Sequence, residues 1–263
     1  MPRGTSAPAG TASTSTDPRL PGDPRRADPL TLTALREGEL EVLGRLPGST
    51  NQALVVLVHH ASVEQPFHAV YKATVAERPL FDFPAGTLAR REVAAFLVSE
   101  ALGWALVPPT VLREGPFGEG MVQQWIHGDL EVDLVALVVE DDPRLRRMAV
   151  FDAIVNNTDR KGGHLLPMAD GHIYGVDHGV TFSVQPKLRT VLWGWMGTAF
   201  DIDEIAGLER VAVALHEDLR PALRELLAGP EVTATRRRVT ALLRTKRFPR
   251  PSPDWPAVPW PAF

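Results

Sequence analysis

The chain predicts an α+β protein in two lobes, a small strand-rich one over residues 30–127 and a mostly helical one over residues 128–248. Three observations carry this expectation. Through the first part, apolar residues alternate with polar ones or run in short β-branched blocks, with a single helical stretch among them. After Gly128 they recur at three and four, the spacing of a helix face. No segment repeats another, and 263 residues at 44% apolar content supply a sizeable core for one domain or two packed lobes.

Residues 1–29 are rich in Pro, Gly, Ser, Thr and Ala, with almost nothing large to bury, and predict a disordered tail. From Leu32 to His60, "LTALREGELEVLGRLPGSTNQALVVLVHH" reads as a short helix and two strands broken by "LPGSTN". "FHAVYKA" alternates as a third strand and carries Lys72 near its end. "GTLARREVAAFLVSEALGW" predicts a helix opened by Thr87 as N-cap and closed by Gly103. "PPTVLRE" and "GMVQQWI" are strand candidates, and "LEVDLVALVVEDD" and "DPRLRRMAVFDAIVNNT" are helical. Two more helical stretches follow, "DIDEIAGLERVAVALHEDLRPALRELLAG" and "PEVTATRRRVTALLRTKRF", and a Pro/Trp-rich tail occupies residues 249–263.

Composition excludes several classes. The formal net charge of -4 gives no global pull toward nucleic acid, and the basic run "TRRRVTALLRTKRFPR" reads as a solvated helix face. With no cysteine there is no disulfide framework, thiolate nucleophile or cysteine-ligated zinc, which fits a reducing cytoplasm. The longest apolar runs fall far short of the roughly 20 residues of a membrane helix, and no signal-peptide apolar region opens the chain.

The chemistry concentrates in "NNTDRKGGHLLPMADGHIYGVDHGVTF", where Asp159 and Asp177 each stand beside a basic residue and near glycine. "DRKGGH" followed by "VDHG", with "ADG" as the turn between them, resembles the paired catalytic and metal-binding segments of the phosphatidylinositol 3-/4-kinase-like family, Asp-Arg-His-x-x-Asn and Ile-Asp-Phe-Gly. Over roughly residues 35–245 the chain is similar to a bacterial branch of the protein-kinase-like superfamily distantly related to those kinases.

The resemblance implies a bilobal protein-kinase-like fold and transfer of phosphate from ATP, with Mg²⁺ or Mn²⁺, to an unidentified acceptor: a lipid, a protein or a small alcohol. It makes Asp159, Arg160 and Lys161 the catalytic set, Asp159 orienting the acceptor hydroxyl. Asp177 and His164 fall at the metal positions. His164 replaces the family's asparagine, and imidazole suits Mn²⁺ better than oxygen-preferring Mg²⁺. Lys161 replaces the family's histidine and brings positive charge toward the phosphoryl group. Lys72 takes the place of the strand lysine that contacts the phosphates, with Glu92 as its holding acid and Glu100 as a rival partner. In "GRLPGSTN" the backbone and Ser49, Thr50 and Asn51 would face phosphate, although an ordinary hairpin fits the same residues. Gln124 and Trp125 of the connector would flank the adenine. Lys187 and Arg189 alone are basic in the segment where a phosphoinositide headgroup would be met.

Two other classes remain open. A nucleotide-binding module without turnover fits the altered loop. A metal-dependent hydrolase would use His164, Asp177 and His178 with His59 or His60, but the chain has neither a zinc-helix spacing nor a Gly-x-Ser-x-Gly elbow.

Overall fold

Strand parity builds the smaller lobe. In the computed structural model, which describes residues 27–47 and 52–263, five antiparallel strands lie in the order β1-β2-β3-β5-β4. They are β1 (Glu39–Arg45), β2 (Leu54–His59), β3 (Phe67–Ala73), β4 (Thr110–Gly115) and β5 (Gly118–Gln124). Successive side chains of a strand point to opposite faces. Along β3, Ala69, Tyr71 and Ala73 therefore enter a core with Val56, Val58, Val111 and Val122. Val70 and Lys72 take the opposite face. That alternation is legible in "FHAVYKA", and it decides that Lys72 looks toward the second lobe.

Helix α1 (Pro29–Glu37) covers the first face with Ala34 and Leu35. It begins inside the segment expected to be an unstructured tail, because the Asp28 carboxylate accepts from the Leu30 and Thr31 amides, each at 3.2 Å, and Pro29 suits a first helical turn. Helix α2 (Leu88–Leu102) covers the second face through Ala89 and Val93 against Met121. Thr87 holds its N-cap position, but the capping oxygen is Glu77 Oε1, which accepts from the Ala89 amide at 2.8 Å, while the Thr87 hydroxyl turns to Pro84. Gly103 closes α2 in the left-handed region at φ 70°, where a side chain would be strained.

The second lobe holds α3 (Leu134–Val139), α4 (Arg146–Val155), α5 (Ile202–Ala214), α6 (Leu219–Leu226) and α7 (Gly229–Thr245). A two-stranded ribbon, β6 (Leu165–Pro167) and β7 (Ile173–Gly175), joins them. Phe151 and Ile154 of α4 are wholly buried with Leu208, Val211, Leu223 and Val239 around them, each large side chain contributing roughly 2 kcal/mol. The stretch expected as one long helix from Asp201 breaks into α5 and α6. Its start is a capping box, the Asp201 side chain on the Glu204 amide and the Glu204 side chain on the Asp201 amide.

The basic run of α7 is only partly a solvated face. Arg236 and Arg237 are exposed, whereas Arg238 turns inward, donating to the carbonyls of Ile154 and Ser183. Desolvation pulls its pKa down to about 10. Among the described residues no helix is long and apolar enough to cross a membrane.

Candidate functional site

Four segments bring the candidate residues together between the lobes. β3 supplies Lys72, α2 supplies Glu92, and the loops before β6 and after β7 supply Asp159 and Asp177. Lys72 Nζ lies 2.7 Å from Glu92 Oε1 and 2.8 Å from Asp177 Oδ1. Burial alone would lower the Lys72 pKa, but Asp177 and Glu92 outweigh it and raise it above the ordinary lysine value. Reciprocally, the Lys72 ammonium holds the Asp177 carboxyl well below the usual carboxylate range, against desolvation. Lys72 and Asp177 are therefore both charged at neutral pH. Glu92, not Glu100, is the partner of Lys72, and its second oxygen accepts the His178 amide at 2.8 Å. One buried carboxylate thus holds both the lysine and the backbone of the loop that presents Asp177.

Asp177 itself sits at φ 61°, a left-handed conformation unfavourable for a residue with a Cβ. Its Oδ2 lies 3.5 Å from His164 Nε2, while His164 Nδ1 is buried without a hydrogen-bond partner. Desolvation lowers the His164 pKa, opposed by Asp177, so the imidazole is neutral and able to act as a ligand. Asp159 is partly exposed, with Oδ2 at 3.2 Å from Lys161 Nζ. Its amide donates to Asn157 Oδ1 at 3.0 Å, and Asn157 donates in turn to Asp152.

Arg160 does not face the cleft. Its side chain is fully buried and donates to both oxygens of Asp152, to His178 Nε2 at 2.7 Å and to the carbonyls of His164 and Val176. A guanidinium has only donors, so His178 Nε2 accepts and its proton sits on Nδ1. Burial first, and Arg160 second, push the His178 pKa well down. Arg160 therefore ties the Asp159 loop to the Asp177 loop from within the core, and its side chain is not part of the cleft lining where the motif's catalytic role would put it.

The cleft encloses about 460 Å³, within the usual range for a small-molecule site. Ala53 and Val70 form one apolar wall and Leu166 and Val176 the other, with Lys72, Asp159, Lys161, His164 and Asp177 at the polar end. Gln124 and Trp125 line it, but their amides are already used by Pro109 and His68 carbonyls, each at 2.9 Å, so neither amide is free for an adenine edge. Ser49, Thr50 and Asn51 lie outside the described residues. A larger cavity of about 740 Å³ beside α7 contains none of the expected catalytic or metal-binding residues.

Lys187 is withdrawn from any headgroup: it is 2% exposed and paired with Asp82 beneath the rings of Phe81, Phe83 and Trp255. The histidines of the hydrolase alternative are scattered, His59 on Glu41 and His60 on Ser62. Among the described residues no group of three or more His, Asp or Glu side chains forms a metal cluster. Sequence reasoning missed Asp152. Its signal was a carboxylate in the apolar run "AVFDAIV", where every neighbour is buried.

No family model matches the chain. Protein Rv2133c of Mycobacterium tuberculosis is 43% identical over 264 residues, covering 87% of this chain and 94% of that protein. The crystal structure of the Helicobacter pylori proinflammatory kinase CtkA superposes with a TM-score of 0.50 at 12% identity, covering 81% of this chain and 94% of that one, a likeness of fold.

Proposed function

The chain belongs to the family of Protein Rv2133c, and we propose that it uses its kinase-like fold to transfer the γ-phosphoryl group of ATP to a hydroxyl acceptor. The observation that carries this reading is the contact of one half-buried lysine with two acids from different lobes, Glu92 and Asp177, in a cleft that also holds Asp159. Such a lysine is a preorganised hydrogen-bond donor to phosphate oxygens.

The base would lie between Ala53 and Val70 on one side and Leu166 and Val176 on the other, meeting the connector backbone from Ile126 onward. Lys72 would donate to phosphate oxygens. Asp159, held by Asn157 and Lys161, would orient the acceptor hydroxyl and take its proton as the acceptor oxygen bonds to phosphorus and the bond to the ADP oxygen breaks. Lys161 would balance charge on the transferring group.

Asp177 and His164, 3.5 Å apart, would hold a divalent cation between them, too few ligands for a closed protein cage. Bound there, Mg²⁺ or Mn²⁺ would neutralise phosphate charge. His164 favours Mn²⁺.

The test is metal-ATP titration and turnover with an acceptor screen. Lys72→Ala is expected to weaken ATP binding in a folded protein. Asp177→Asn should weaken metal-dependent binding, whereas Asp159→Asn should leave ATP affinity nearly intact and lower turnover on the order of 10²-fold or more. His164→Asn should move metal preference toward Mg²⁺. Indistinguishable profiles for the two aspartate variants would defeat the assignment. ATP binding without consumption in either metal would favour the non-catalytic module, a reading supported by the imidazole at an oxygen-ligand position.

A further inference from the structure

We propose that residues 255–263 form a strap whose docking positions the Asp159 loop, with Phe263 and Trp255 as positioning residues for turnover, an inference that rests on the phosphotransfer reading above. Lys161 is followed by Gly162 and Gly163, two residues with the greatest backbone freedom available, in the span between the proposed base and the proposed metal ligand. The far half of that span is fixed locally, the His164 amide on the Lys161 carbonyl and the Val176 amide on the His164 carbonyl. The near half is fixed by the strap. The Gly162 amide donates to the Ala262 carbonyl at 2.8 Å, and the Phe263 ring lies so close that a Cβ on Gly162 would stand 2.2 Å from a ring carbon. Only glycine admits that ring.

The same strap grips the segment behind the loop. The Ala257 carbonyl accepts from the Thr190 amide at 3.0 Å and from Trp193 Nε1 at 2.8 Å. Thr190 forms a parallel bridge with Arg160, and its hydroxyl reaches Asp152. Trp255 stacks over the Lys187 ammonium, 4.4 Å from ring centroid to nitrogen, and Lys187 pairs with Asp82 on the β3–α2 connection of the other lobe. One strap therefore bears on the catalytic loop, on the segment after Asp177 and, through Lys187, on the N-terminal lobe. Phe263 is 51% exposed, too little buried to matter chiefly for the core. Its consequence is local order at Gly162.

The experiment uses the full chain carrying Phe263→Ala, Trp255→Ala or the conservative Phe263→Leu. Amide exchange by mass spectrometry over residues 160–164 is read beside kcat and the KM for ATP. Expected for Phe263→Ala is exchange at Gly162 faster by about tenfold or more with an unchanged melting temperature. A matching loss in kcat at constant KM is expected, with most of both recovered in Phe263→Leu. Unchanged exchange and unchanged kcat would overturn the strap. So would a rise in kcat, which would make the segment a cover over the acceptor side. Absence of turnover in the unsubstituted protein in both metals, with Gly162 exchange still dependent on Phe263, would sink the phosphotransfer reading and leave the strap as the anchor of the loop.

Discussion

Arg160 and Asp152 show how much of the site depends on groups that touch no substrate. Both side chains are fully buried, and the guanidinium meets both carboxylate oxygens of Asp152. Removing one member of such a pair leaves the other as an uncompensated charge in a dry interior, which costs about 3–5 kcal/mol. Asp152→Ala is therefore expected to lower unfolding free energy by about that much in urea titration. A loss below about 1 kcal/mol would show that Arg160 is adequately served by His178 and the two carbonyls alone. Asp159 and Asp177 lie at the surface of this buried scaffold. One residue's neighbour in sequence thus has the opposite environment, and motif spacing alone does not separate them.

Helices α1 and α2 position the sheet that carries Lys72. Both ends of α1 are satisfied by side chains: Asp28 at the first turn, and Arg113 Nη1 donating to the Leu35 and Gly38 carbonyls at the last. Asp28→Ala is expected to cost about 1 kcal/mol, read as a shift of the denaturation midpoint without change of slope. Helix α2 is held to the second lobe by Arg91, which donates to the Thr181 carbonyl and Glu231, each at 2.6 Å. Beside that anchor Glu92 meets Lys72, whereas Glu100 lies about 12 Å further along the helix axis. Periodicity showed where α2 begins and ends, but its hydrophobic side is nearly continuous, with Arg91 and Glu92 buried among apolar neighbours. Which acid faces the cleft was therefore illegible from spacing.

At the scale of the molecule, α2 joins the lobes by burying Ala94, Ala95, Phe96, Val98 and Leu102 in the core of the second one, and charged contacts add to this: Lys72 with Asp177, Arg91 with Glu231, and Lys187 with Asp82. Lys187 is buried, caged by rings from the β3–α2 connection and the closing strap. Lys187→Met keeps the apolar stem and removes the charge, and it is expected to destabilise by about 2 kcal/mol, less than a fully buried pair because Asp82 keeps some solvent access. ATP affinity should change little, since the pair lies outside the cleft. A drop in affinity as large as that of Lys72→Ala would contradict this separation. By itself the sequence determined the α+β order, the strand parity that turns Lys72 away from the sheet's own core, the cap at Gly103 and the two acidic segments, because these depend on residues close together along the chain. Only tertiary structure decided that Glu92 takes Lys72, that Arg160 is buried, that Lys187 is unavailable to a ligand and that the Pro/Trp-rich segment docks on Gly162. The partners in those contacts lie far apart in sequence, 105 residues for Lys72 and Asp177. Local periodicity does not encode which distant surfaces meet; close packing of the folded chain does.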